Sequence, residues 1–189
     1  MWLGCREKIT MALKSIIYKA DLQVSNMDSN YYAAHSLTLA RHPSETEERL
    51  MVRLIAFALF ASDSLAFGKG LSDDEEPDLW QKDLTGAIEL WIEVGLPDER
   101  VLRKACGRSN QVALVLYGGR TADMWWDQNS KALLKLDNLT VINLPNTEEL
   151  ASTATRNMNI SCTIQDDEML VTHDAGSFTL LPASLKTFN

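Results

Sequence analysis

Residues 75–95 read EEPDLWQKDLTGAIELWIEVG, and the rest of the chain is best understood outward from this stretch. A Pro77-Asp78 pair precedes an apolar run, Ala87–Val94, which has the length and composition of a strand and carries Glu93 near its end. An aspartate on one segment and a glutamate late on the next strand can hold a hard divalent cation. Such ions take oxygen ligands, commonly one or two carboxylates completed by water and substrate phosphate. Side chains alternate along a strand, so Glu89, Trp91 and Glu93 point to one face. Glu89 and Glu93 then stand roughly 13 Å apart and cannot share one ion. Glu93 is the better ligand because it sits at the strand's carboxyl end, beside Gly95 and Pro97, where ligands collect in open α/β sheets. Asp78 and Glu93 are therefore the candidate metal ligands, and Mg²⁺ or Mn²⁺ is the expected ion.

Upstream, Ile16, Tyr18, Ala20, Leu22 and Val24 alternate with polar residues, the pattern of a half-buried strand. Turn formers fill Asn26–Asn30, and His35–Arg41 returns as the second arm of a hairpin. Ser44 and Glu47 make a capping box after Pro43 and predict a helix over Ser44–Ala61, with Leu50, Met51, Leu54, Ile55 and Ala58 at helical spacing. Ser64–Gly70 is expected as a short strand and Ser72–Asp78 as a solvated acidic loop. Downstream the elements alternate: strand Ala87–Val94, helix Asp98–Cys106, buried strand Val112–Tyr117, helix Ala122–Lys135, strand Leu139–Leu144 and helix Thr147–Arg156. Met124, Trp125 and Leu133 are available for packing. Ile160–Gln165, Met169–His173 and Ser177–Leu181 read as a terminal antiparallel meander. The order is that of an α/β fold, a mixed sheet flanked by helices.

The 189 residues suit one domain with a substantial core. No apolar run approaches the length of a membrane span, and the first ten residues lack a signal-peptide hydrophobic region, so a cytoplasmic location is expected. Cys5, Cys106 and Cys162 form no metal-ligand pattern and are expected to be reduced thiols. The net charge of -8 argues against broad, non-specific nucleic-acid binding, which rests on neutralising phosphates, while leaving room for a local basic groove.

Pro77-Asp78 followed by Leu90-Trp91-Ile92-Glu93-Val94-Gly95 resembles a degenerate PD-(D/E)XK nuclease signature. Nearly the whole chain from Met11 also resembles the bacterial YaeQ family. The blocks that carry this likeness are MALKSIIYKADL, HSLTLARHPSETEERLMVRLIAFAL, GLSDDEEPDLWQK, IELWIEVGLPDE, RKACGR and LYGGR. The resemblance implies a single domain over 11–189, preceded by a disordered extension over 1–10. It implies a restriction-endonuclease-like core, with extra antiparallel strands at the N- and C-termini. In the wider superfamily a glutamate of the first helix often completes the metal site. Glu45, Glu47 and Glu48 stand at that helix start, but capping accounts for Glu47 and the helix dipole for the other two.

The lysine of the nuclease signature is missing, since Gly95 occupies its place two residues after Glu93. A substitute could come from the next helix, where Arg100, Arg103, Lys104 and Arg108 fall on one side and Val101, Leu102 and Ala105 on the other. Lys104 is the first candidate to stabilise charge on the phosphate and Arg108 the second. The competing reading is a solvated basic face that suits the helix C-terminus. Tyr117-Gly118-Gly119-Arg120 lacks a phosphate-loop pattern and reads as a packing turn, with Arg120 near enough in principle to reach a phosphate. No histidine pair, nucleophile elbow or cysteine–histidine pair supports other hydrolytic chemistries. Two functions follow. One is a Mg²⁺- or Mn²⁺-dependent phosphodiesterase acting on DNA or RNA through Asp78, Glu93, Lys104 and Arg108. The other is a nuclease-fold binding or regulatory module without catalysis.

Overall fold

A computed structural model describes residues 15–69, 71 and 75–188, so the expected extension over 1–10 lies outside the described residues. β1 (Ile16–Asn26) and β2 (Tyr31–Arg41) form the predicted hairpin, closed by a turn in which Asn30 takes a left-handed φ of 54°. Tyr18, Ala20, Leu22 and Val24 turn inward in strict alternation. α1 (Glu47–Leu59) follows, buried on every side from Leu50 to Ala58, as befits a helix lying between two layers. Its N-cap is Thr46, whose hydroxyl accepts from the Arg49 N–H at 3.1 Å, and not the expected Ser44. Ser44 is diverted to the ring of His42, with Oγ 2.6 Å from Nδ1.

The chain continues through β3 (Leu65–Phe67), β4 (Leu79–Lys82), β5 (Ile88–Val94), α2 (Glu99–Cys106), β6 (Ser109–Tyr117), α3 (Arg120–Leu133), β7 (Leu139–Leu144) and α4 (Glu148–Thr153). It ends in β8 (Asn157–Gln165), β9 (Glu168–His173), β10 (Gly176–Leu180) and β11 (Ala183–Lys186). β4 and β11 were not expected, and α4 stops before Arg156, whose guanidinium instead donates to the Ile17 carbonyl at 3.2 Å. Met124 is exposed, contrary to its expected packing role.

Two mixed sheets replace the single one expected. One runs β10-β9-β8-β1-β2 and the other β11-β7-β6-β5-β4-β3. β5, β6 and β7 are parallel, and their crossover helices α2 and α3 bury Leu102, Ala105, Ala122 and Leu133 with Trp91, Leu114 and Val141. The N-terminal hairpin joins the C-terminal meander through a parallel pairing of β1 with β8. One hydrophobic core unites the layers, drawing Leu22 and Met158 from the first sheet, Ile92 and Val115 from the second, and α1 between them. Among the described residues no helix is long and apolar enough to cross a membrane. Cys106 is half-buried and free; Cys162 is buried and free, its thiol pushed up to about 12 by burial.

Candidate functional site

The site lies at the carboxyl ends of the parallel strands β5 and β6, where α1 crosses them. β4 pairs antiparallel with β5, Leu79 opposite Ile92, so the next step of the register brings Asp78 abreast of Glu93. The Pro77-Asp78 segment is held from behind by Gly68, whose N–H donates to the Asp78 carbonyl at 2.9 Å. A β-carbon on Gly68 would lie only 2.1 Å from the Pro77 oxygen, so this approach requires glycine.

Asp78 is almost fully buried, and both of its oxygens are taken. Arg49 Nη2 donates to Oδ1 and to Oδ2 at 2.8 Å each, and the Val94 N–H donates to Oδ2 at 2.8 Å. Arg53, 2% exposed, places Nε 3.8 Å from Oδ1. Behind them lies Glu45. It accepts from Arg49 Nη1 at 3.0 Å and from Arg53 Nη1 at 2.9 and 3.0 Å. Burial raises the Asp78 carboxyl above its ordinary range, against the opposing pull of both arginines and the Val94 N–H. The two carboxylates in turn hold Arg49 firmly in its charged form. Arg49 and Arg53 went unrecognised in the sequence. The signal was a single arginine inside the apolar run Leu50–Leu59, where an unpaired charge would be prohibitive.

Glu93 faces the open side. Its Oε1 accepts from the Trp91 indole N–H at 2.7 Å, an i, i+2 pair on one strand face. Burial first, then the nearby Asp78 charge, push its carboxyl up to about 7, with Trp91 and Arg49 opposing. Glu93 and Asp78 share the wall of an open cavity of about 720 Å³ with Arg49, Tyr117, Arg100 and Lys104. Val101, expected on the packed side of α2, is exposed and lines this cavity instead.

The structure thus brings Asp78, Glu93 and Lys104 to one cavity and leaves Arg108 at its margin. Lys104 and Arg108 both bond to Glu75, Arg108 Nη1 at 2.9 Å, and hold this carboxyl below the usual range. Arg120 is exposed and outside the cavity lining. The glutamates at the start of α1 divide their work. Glu45 binds the arginines, Glu47 accepts from Tyr18 and Arg41, and Glu48 accepts the Thr147 hydroxyl at 2.6 Å, tying α4 to α1. At Gly95, φ is +108°, a conformation that side chains rarely adopt, so the backbone itself disfavours a lysine there.

Residues 11–182 match the family described as "YaeQ protein". The chain belongs to the YaeQ family. It is 46% identical over 167 residues to "Uncharacterized protein YaeQ" of Escherichia coli (strain K12), covering 87% of this chain and 92% of that one. The crystal structure of YaeQ protein from Xanthomonas axonopodis pv. citri superposes with a TM-score of 0.89 at 50% identity, covering 92% of this chain and 99% of the other. That of YaeQ protein from Pseudomonas syringae gives 0.87 at 36% identity, covering 92% and 97%. The two crystal structures thus share the fold of this chain.

A divalent ion fits this donor set poorly. The guanidinium of Arg49 lies on the Asp78 oxygens that an ion would need, and Glu45 is committed to the same two arginines. Of the two candidate ligands, Glu93 is the one whose carboxylate is not already held by an arginine, and one carboxylate is fewer ligands than a hard cation takes from a dedicated protein site.

Proposed function

We propose that this YaeQ family member is a binding module with a PD-(D/E)XK-like cleft, in which a guanidinium stands where a nuclease holds its ion. In this reading the cleft engages a nucleic-acid strand without cutting it. The observation that carries the reading is Arg49 Nη2 at 2.8 Å from both Asp78 oxygens, backed by the buried Glu45–Arg53 pair. To admit an ion, Arg49 would have to give up both of its bonds to the Asp78 carboxylate. Gly95, at the position of the signature lysine, supports the same reading. The ligand-facing groups in this reading are Arg100 and Lys104, the latter paired with Glu75, beside the apolar Val101.

The test is binding and cleavage of single- and double-stranded DNA and RNA, with Mg²⁺ or Mn²⁺ and again with EDTA. Binding should persist in EDTA and weaken severalfold in Lys104→Ala, with a shallower salt dependence and no cleavage. Metal-dependent cleavage that disappears in Asp78→Asn overturns the module.

One observation favours a second reading. Asp78, Glu93 and Lys104 converge on a single open cavity, as in a Mg²⁺- or Mn²⁺-dependent phosphodiesterase. Calorimetric binding of either ion that is lost in Glu93→Gln, together with lost cleavage, selects this enzyme.

A further inference from the structure

Four strands edge the two sheets, and three of them are blunted. β10 has five residues and begins at a glycine, β3 has three, and β11 has four with a register break between Ser184 and Lys186. Such short or irregular edges are how soluble chains avoid pairing with one another. β2 is built differently. Its eleven residues, YYAAHSLTLAR, pair with β1 in unbroken register and contain no proline, glycine or bulge. The one formally charged side chain is Arg41 at the very end, and it turns back to Glu47 at 3.2 Å. Among the described residues no strand pairs with the outer edge of β2.

We propose that β2 pairs antiparallel with β2 of a second copy about a two-fold axis at Ser36, joining two five-stranded sheets into one of ten strands. A two-fold contact must be complementary to itself, and this sequence is. Inner faces continue into inner faces only when paired residues have the same parity, and centring on Ser36 lets all eleven residues pair. Tyr32 then lies across from Ala40 of the partner subunit, and Ala34 across from Thr38 of the partner subunit. No like charges oppose each other, since Arg41 meets Tyr31 of the partner subunit.

The outer face supports this register. Ile17 and Tyr32 are 47% and 60% exposed, and Ile17 stands beside Ala40 in the β1–β2 pairing. In the dimer, Ala40 lies between Ile17 and Tyr32 of the partner subunit. The small residue lets the two large ones close over it, covering apolar surface that the single chain leaves in water. At about 3.4 Å per residue the shared ladder runs roughly 37 Å.

Light scattering and sedimentation of the full chain test the pairing, together with hydrogen exchange of the β2 amides. A dimer is expected, with those β2 amides that face away from β1 protected in step with dimer formation. The double variant Ala34→Lys with Thr38→Lys sets lysine against lysine twice and should raise the dimer Kd roughly tenfold or more. Both positions are exposed, so the far-UV spectrum should not change. Mixing that variant with Ala34→Glu/Thr38→Glu should restore a heterodimer. A chain that stays monomeric at about 100 µM with freely exchanging outer amides overturns the proposal. So does a dimer whose affinity the lysines leave unchanged.

Discussion

The charge of Glu93 depends strongly on its surroundings. Its folded pKa of about 7 lies above the ordinary 4.5, so the folded state holds a proton that the unfolded state releases. The contribution of this group to stability is complete below about pH 4.5 and is lost as pH rises through 7. Glu93→Gln keeps an acceptor for the Trp91 indole and never ionises. It should therefore melt close to wild type at pH 5 and be more stable by roughly 1–3 kcal/mol at pH 8, as thermal unfolding at the two pH values will show. Equal effects at both would mean that the carboxyl titrates normally. Arg53 is the converse case. Arg53→Met leaves Glu45 buried without one of its two cations, and a loss of about 3–5 kcal/mol by denaturant unfolding is expected. The motif made Asp78 and Glu93 legible, because proline-aspartate and a strand-end glutamate are local patterns. Glu45, Arg49 and Arg53 were not, since their meaning comes from a contact 29 residues away, between Arg49 and Asp78.

Elements with enough length to show a period were readable, and among the short ones β3 was expected while β4 and β11 were not. The hairpin, β5 to β7 and their helices fell within a few residues of their predicted bounds because alternation and helical spacing repeat several times in each. β4 and β11 have four residues each, too few for a period to declare itself. The start of α1 was misplaced because two overlapping signals compete, and His42 takes Ser44 out of contention. Thr46→Ala should therefore cost about 1 kcal/mol, while Ser44→Ala should stay within about 0.5 kcal/mol, measured by urea unfolding. The turn after β5 sets a further test. Gly95→Lys restores the letter of the nuclease signature but forces a side chain onto φ +108°, so about 1–3 kcal/mol of stability should be lost and no cleavage gained.

At the scale of the molecule, the division into two sheets could not be read from element order. Nothing local tells β8 to run parallel to β1 instead of extending the sheet that β7 belongs to; the match of inward faces across α1 decides it. α1 is the shared filling of both layers, so the five-stranded sheet depends on the core it holds in common, while the six-stranded sheet also packs α2 and α3 on its other face. Trp80, Trp91, Trp125 and Trp126 all report on the six-stranded side, whereas far-UV circular dichroism reports on both. The two signals should fall together in one urea transition; an earlier change in circular dichroism alone would mean that the hairpin and meander melt separately. The pairing of β1 with β8 also imposes a timetable on synthesis. Lys19 meets Asn157, which leaves the ribosome 138 residues later. At about 5–20 residues per second, the newborn hairpin waits roughly seven to thirty seconds with β1 open. During that interval both of its strands offer unpaired backbone, so elongation speed, and any chaperone that shields the hairpin at the exit tunnel, should govern how much chain reaches the native state.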